Sequence, residues 1–178
     1  MRLVLVTPPV AQPITLCEAK AQARVTHDDE DLLIQHYIDA ATAWLDGPAG
    51  ILGRCLVTQT WRAELATVGP AIRLPFPDSL VDSAVFTDAA GGDLDYRIDR
   101  RDQRLLLRPL AGFGRPAAIT FTAGYGAPAE IPAAIRQAML LLIAHWYENR
   151  AAVSLGTSPS ALPMAVDALL APYRRIRL

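Results

Sequence analysis

Pro132-Ala-Ala-Ile-Arg-Gln-Ala-Met-Leu-Leu-Leu-Ile-Ala-His-Trp-Tyr-Glu-Asn-Arg150 is the stretch that settles the fold class. Proline suits the first turn of a helix, and no proline or glycine follows it before Arg150. The spacing predicts one helix over 132–150, about 28 Å long at 1.5 Å per residue. Its apolar residues, Ile135, Ala138, Met139, Leu140, Leu141, Leu142, Ile143, Ala144, Trp146 and Tyr147, cover nearly the whole circumference. A helix that is apolar all round must be covered on several sides, and a neighbouring subunit is expected to supply part of that cover. Leu142, Trp146 and Tyr147 are the expected core or intersubunit residues. Trp146 is expected to pack on the first two helices against Trp44 or Leu33.

Upstream, Thr15 followed three residues later by Glu18 fits a capping box, which predicts a helix over 15–24. Asp28-Asp-Glu-Asp31 opens a second helix over 28–45, with carboxylates at the positive end of its dipole. Leu33, Tyr37, Ala41, Trp44 and Leu45 recur at helical spacing and form the expected buried face. Gly47-Pro48 ends this helix.

Residues 56–125 have a different texture. Val57, Gln59, Trp61, Ala63 and Leu65 alternate with Thr58, Thr60, Arg62 and Glu64, the period of a half-buried strand. Further strands are expected at 84–87, 96–98, 105–107 and 119–123, with a turn at Ala89-Ala-Gly-Gly-Asp93. Pro70, Pro75, Pro77, Pro109 and Pro116 keep them short. Short strands with many turns predict a small sandwich or open barrel, and the chain is α+β. Residues 151–178 read as a tail: a loop at Gly156-Thr-Ser-Pro-Ser160, then a short helix with Val166, Leu169 and Leu170 that Pro172 ends.

The 178 residues carry 52% hydrophobic and 20% charged side chains, a globular balance, with a formal net charge of −1. Nucleic acid would have to be met by local patches. The longest apolar run, Ala138 to Ala144, is far below the roughly 20 residues of a membrane span. The short apolar N-terminus, interrupted by Pro8-Pro9, does not read as a signal peptide. A soluble protein of a reducing cytoplasm is therefore expected, with Cys17 and Cys55 as buried thiols.

Catalytic chemistry finds little support. His27, His36 and His145 show no metal-ligand spacing, and the cysteines form no Cys-x-x-Cys pair. The acidic run 28–31 lacks the glycine and distal glutamate of a calcium loop. Gly124-Tyr-Gly126 and Gly91-Gly92 lack a phosphate-loop ending and read as turns. No catalytic residue, metal or cofactor is expected. Two basic patches remain. Arg97, Arg100, Arg101, Arg104 and Arg108 alternate with Asp95, Asp99 and Asp102, as in a solvated, salt-bridged hairpin. Arg100, Arg101 and Arg104 are candidates for contact with DNA or a partner. The other patch, Tyr173-Arg-Arg-Ile-Arg177, mixes the residue types favoured as interface anchors and suits a docking peptide; a merely solubilising tail is the alternative.

Several stretches taken in order carry a resemblance: Ile14-Thr-Leu-Cys-Glu-Ala-Lys20, Arg24-Val25, Asp28 to Asp31, Gln59-Thr-Trp61, Ile119-Thr-Phe-Thr-Ala-Gly-Tyr-Gly126, Ile131-Pro132, Ile135 to Arg150, Leu162-Pro163 and Ala168-Leu-Leu-Ala-Pro-Tyr-Arg174. Together they resemble the head–tail connector (adaptor, head-completion) family of tailed phages, prophages and gene transfer agents. Gly47-Pro-Ala-Gly-Ile-Leu-Gly-Arg54 is longer than the Thr-Gly-Arg turn expected of that family.

The resemblance implies one connector domain over 1–178. Its helical bundle would take 14–46 and 130–155, its β-rich insertion 56–125, and a C-terminal docking tail 157–178. It implies a structural, non-enzymatic subunit in a ring of about twelve copies. That ring would sit beneath the portal protein in the neck of a virion or phage-like particle, assembled in the host cytoplasm. A downstream head-completion or tail-completion protein would bind it, packaged DNA would pass through its lumen, and no membrane is involved. Tyr173, Arg174, Arg175, Ile176 and Arg177 would dock on the portal. The competing function is a nucleic-acid-binding regulator using the Arg97–Arg108 hairpin, which pI ≈ 6.3 disfavours.

Overall fold

A capping box opens the first helix of the protein, whose computed structural model describes residues 1–77, 79–101, 104–150 and 164–174. The Glu18 N–H donates to Thr15 Oγ1 at 3.3 Å, and the Thr15 N–H donates back to the Glu18 carboxylate at 2.9 Å. Helix α1 then runs over Leu16–Ala23. It stops because Arg24 adopts a left-handed conformation (φ 57°), which turns the Val25 N–H onto the Lys20 carbonyl at 3.0 Å. The chain forms two compact units, and α1 belongs to the one made of Ala11–Leu56 and Ala127–Leu178.

Three more helices complete this helical unit: α2 (Asp31–Leu45), α3 (Ala133–Glu148) and α4 (Met164–Leu170), the last followed by a 3₁₀ turn over Ala171–Tyr173 that contains Pro172. Helix α2 starts later than expected, at Asp31, and its buried face is Ile34, Ile38, Ala41 and Leu45. Leu33, Tyr37 and Trp44 flank that stripe and are half-buried. Pro132 is the N-cap of α3, just outside the first turn. Ile135, Ala138, Met139, Leu142 and Ile143 form its buried stripe, at the i, i+3, i+4, i+7, i+8 spacing of one helix face.

Helix α3 packs against α1, α2 and α4. Much of the cover that its apolar surface requires therefore comes from its own chain, while Leu140, Leu141, Trp146 and Tyr147 stay half-buried. Val166 and Leu170 of α4 are completely buried in this way. The loop after α2 is built, not slack. The Gly47 N–H donates to the Arg54 carbonyl (2.7 Å), the Ile51 N–H to the Trp44 carbonyl (2.9 Å) and the Leu56 N–H to the Asp46 carboxylate (2.6 Å). Leu52, Cys55 and Leu56 are buried beneath it. Cys17, in contrast, is exposed on α1.

The second unit takes Met1–Val10 and Val57–Gly126. Its larger sheet has the order β1-β2-β7-β4, with β1 Arg2–Thr7, β2 Gln59–Leu65, β4 Ser79–Asp88 and β7 Ala117–Ala123. Its smaller sheet has the order β3-β6-β5, with β3 Ile72–Arg73, β5 Tyr96–Arg101 and β6 Arg104–Pro109. Every pairing is antiparallel. The expected alternation along β2 is seen, with Gln59, Trp61 and Ala63 buried and Arg62 exposed. Trp61, Phe76 and Phe121 form an aromatic row in the core, with centroids 5.5 and 6.2 Å apart. β1 and β3 were not anticipated from the sequence.

Candidate assembly surfaces

Among the described residues no three His, Cys, Asp or Glu side chains converge on a metal-sized site. Polar chemistry is instead concentrated in the junctions of the helical unit. Arg136, the single arginine within α3, donates to the carbonyls of Pro13 (3.0 Å) and Pro128 (2.8 Å) and pairs with the Glu18 carboxylate. It thereby ties α3 to the start of α1 and to the turn before Ile131. The same carboxylate accepts the Thr15 backbone N–H, which is the main cause that holds its pKa below the usual carboxylate value; Thr15 Oγ1–H and Arg136 add to this against the cost of burial.

The acidic run before α2 has a more particular role than helix-start charge. Lys20 Nζ lies 2.6 Å from both an Asp28 and an Asp31 oxygen, closing the α1–α2 turn. These two hydrogen bonds raise the Lys20 pKa, and the Lys20 bond lowers that of Asp28. Glu30 caps no helix N–H; it accepts from the Tyr147 hydroxyl and pairs with Arg150 at 2.7 Å. Tyr147 and Arg150 hold the Glu30 pKa down, while Glu30 raises those of Tyr147 and Arg150. Arg150 also stacks over the Tyr147 ring, 4.6 Å from its centroid. The far end of α3 is thus tied to the α1–α2 turn. Arginine inside an apolar helix, and lysine eight residues before an aspartate run, were the available sequence signals for these ties.

Of the expected packing residues, Leu142 and Trp61 are buried, and Trp44, Trp146 and Tyr147 are half-buried. The aromatic neighbour of Trp146 is Tyr37, 6.3 Å between centroids. Tyr37 lies between Leu33 and Trp44 on α2, the helix expected to meet Trp146.

The C-terminal patch divides. Tyr173 is half-buried, and its carbonyl accepts from Arg54 Nε at 2.9 Å. Arg174 pairs with Asp167 of α4, and its N–H reaches the Leu170 carbonyl at 3.2 Å. These two residues are part of the fold and not a free tail. Arg175, Ile176 and Arg177 lie outside the described residues, as do residues 151–163.

The arginine-rich segment forms the β5–β6 hairpin, with Arg97 opposite Arg108 and Arg101 opposite Arg104. Arg108 reaches Asp99 at 3.4 Å, which shows mixed charges pairing across the strands. The side chains of Arg100, Arg101 and Arg104 lie outside the described residues.

Residues 13–76 match the family described as phage gp6-like head–tail connector protein. No curated protein matches the chain. Among solved structures, the chain is similar over its whole length to a component of the neck of an empty gene transfer agent particle computed with C6 symmetry. The identity is 26%, the TM-score is 0.77, and 97% of the solved chain is covered. A chain in the virion of a native gene transfer agent particle matches with the same identity, TM-score and coverage. One in the neck of a native particle computed with C12 symmetry matches with TM-score 0.70 at the same identity and coverage. The likeness extends through both the helical and the β-rich unit, including the long loop after α2, and these findings do not support a nucleic-acid-binding regulator. Residues 13–76 thus carry the likeness to the head–tail connector family, and over its whole length the chain has the fold of a gene-transfer-agent neck component, a structural connector subunit.

Proposed function

We propose that this protein is a neck subunit that assembles into a ring of about twelve copies below the portal of a phage or gene-transfer-agent particle. There it completes the DNA-filled head and offers the tail its attachment site. The observation that carries this is the full-length likeness to chains in particle necks computed with C6 and C12 symmetry. A cyclic ring of this order needs a heterologous interface, in which two different patches of each copy meet. The two compact units suit such a subunit, since each has its own core and can offer a separate surface.

The portal is the partner proposed for the last residues of the chain. Arg175, Ile176 and Arg177 follow directly on Tyr173 and Arg174, which the fold holds in place. Guanidinium groups beside a branched aliphatic side chain match acidic and apolar groups on a partner. Packaged DNA would pass through the ring's lumen, with Arg100, Arg101 and Arg104 of the β5–β6 hairpin as the candidate contacts. Electron microscopy of purified particles tests the assignment. The protein is expected as a ring between head and tail, and its absence from the neck overturns the proposal.

A further inference from the structure

The β-rich unit has four edge strands, and three of them carry a device that discourages strand addition. β3 is only two residues long. β5 reads Tyr-Arg-Ile-Asp-Arg-Arg, an edge lined with charge. The outer edge of β4 is closed over Ala84–Asp88 by its own chain. The Leu94 N–H donates to the Phe86 carbonyl (2.8 Å), the Asp88 N–H to the Gly92 carbonyl (2.8 Å) and the Tyr96 hydroxyl to the Ala84 carbonyl (2.6 Å). Shortness, charge and self-capping are among the known protections against edge-to-edge pairing, as is a β-bulge. Of these, Leu3–Val6 of β1 carries only a register shift against β2 between Leu5 and Thr7. The strand reads Arg-Leu-Val-Leu-Val-Thr, Leu5 is 42% and Val6 52% exposed, and among the described residues nothing pairs with its outer side.

The direction of its backbone groups follows from the register. Phe86 points away from β7, so Thr87 and Ala118 face each other's strands, and Ile119 and Ala63 pair on the next rung. By alternation, Arg62 and Glu64 turn toward β1, and Val4 and Arg2 turn toward β2. The N–H and C=O groups of Leu3 and Leu5, ahead of the register shift, therefore point outward, into an apolar edge.

We infer that the outer edge of β1 accepts an extended segment of the adjoining copy of this chain, adding a strand across the subunit boundary of the ring. The inference rests on the ring assignment above. The occupant follows from symmetry. Neck relatives computed with C6 and C12 symmetry place copies of one chain side by side, so an open edge meets a different patch of the next copy. Pairing of β1 with β1 across a two-fold axis would stop at a dimer. Main-chain hydrogen bonds from Leu3 and Leu5 would hold the segment, and the exposed Leu5 and Val6 side chains would be covered by it.

Proline scanning tests this because it separates the two sides of the strand. Leu5→Pro removes an outward N–H; its melting curve is expected to match the parent, while incorporation into particle necks falls at least tenfold. Val4→Pro removes an N–H bonded to β2 and is expected to unfold the sheet. A second edge variant, Val6→Lys, adds a charge without touching the backbone and is expected to lose incorporation as well. If either Leu5→Pro or Val6→Lys is folded and incorporated like the parent, the inference is wrong. In particles carrying Cys17→Ser with Val6→Cys, a photo-cross-linker attached to that thiol is expected to give a ladder at multiples of the chain mass; a product that stops at twice the mass, or a cross-link to the portal, overturns the choice of occupant. Absence of the unmodified protein from the neck would instead sink the ring assignment itself.

Discussion

The Nε of Arg54 donates to the carbonyl of Tyr173 at 2.9 Å, joining the loop after α2 to the 3₁₀ turn that ends the described chain. This bond fixes the backbone of Tyr173 against the loop after α2. A single partly buried hydrogen bond is worth about 1 kcal/mol, which in a protein of this size is about 2–4 °C of melting temperature. Arg54→Met keeps the aliphatic stem and is expected to lower the midpoint by that amount. An unchanged midpoint in calorimetry would show that the C-terminal turn is held by α4 alone.

Acid should loosen the helical unit before it affects the β-rich one. Glu18, Asp28 and Glu30 have folded pKa values below their ordinary ones, through Thr15, Lys20 and Tyr147 respectively. Their contribution is present above the ordinary carboxylate range and is lost as pH falls through the depressed values. Lys20, Tyr147 and Arg150 are raised, so their contribution is present below their ordinary values and lost only in strong alkali. The melting temperature is expected to be flat near neutrality and to fall below about pH 4. Glu18→Gln with Glu30→Gln should flatten that acid limb, and a limb of unchanged steepness would assign it to other carboxylates.

The parts of the fold legible in the sequence are those where local pattern and tertiary environment agree. β2 alternates because one face is buried, and α1 carries both halves of its capping box within four residues. β1 was not legible: Leu3-Val-Leu-Val6 is apolar on both faces, so no period marks it, and only its pairing with β2 makes it a strand. In α2 the consecutive apolar residues Leu32, Leu33 and Ile34 permit several stripes. Packing of α2 against α1 and α3 selects Ile34, Ile38, Ala41 and Leu45 and leaves Leu32 at 79% exposure. The ties made by Arg136, Lys20 and Arg54 span up to 123 positions, beyond the reach of any local pattern.

Gly124 was legible as a turn glycine, and its geometry makes a sharper statement. It has φ 136°, and a Cβ there would lie 2.6 Å from the Val57 carbonyl oxygen and 2.7 Å from Thr58 Cα, both backbone atoms that cannot swing aside. Gly91 also has positive φ, at 88°, yet a Cβ there would meet nothing within 4 Å. Gly91→Ala should therefore cost only the conformational term, about 1–2 kcal/mol. Gly124→Ala should add the clash and exceed about 3 kcal/mol. Urea unfolding of the two variants compares them directly, and equal losses would mean that β2 and β7 can separate at this rung without penalty.

The C-terminal residues allow a truncation with two separable readouts. Tyr173 and Arg174 are tied to Arg54 and Asp167, so removing them should disturb α4 and confuse folding with docking. Arg175-Ile-Arg-Leu178 lies beyond those ties, and deleting only these four residues is expected to leave circular dichroism and melting temperature unchanged. If the segment docks on the portal, the truncated protein should fail to co-sediment with portal-bearing heads. Those heads should then fill with DNA but neither retain it nor gain tails. The charge and apolar contributions separate with Arg175→Ala plus Arg177→Ala against Ile176→Ala. Loss in the first variant that deepens as salt is lowered would point to an acidic surface on the portal, because attraction between opposite charges strengthens at low ionic strength, and a loss independent of salt would argue against one. Normal co-sedimentation of the well-folded truncation would remove the docking role and leave the two arginines as solubilising groups.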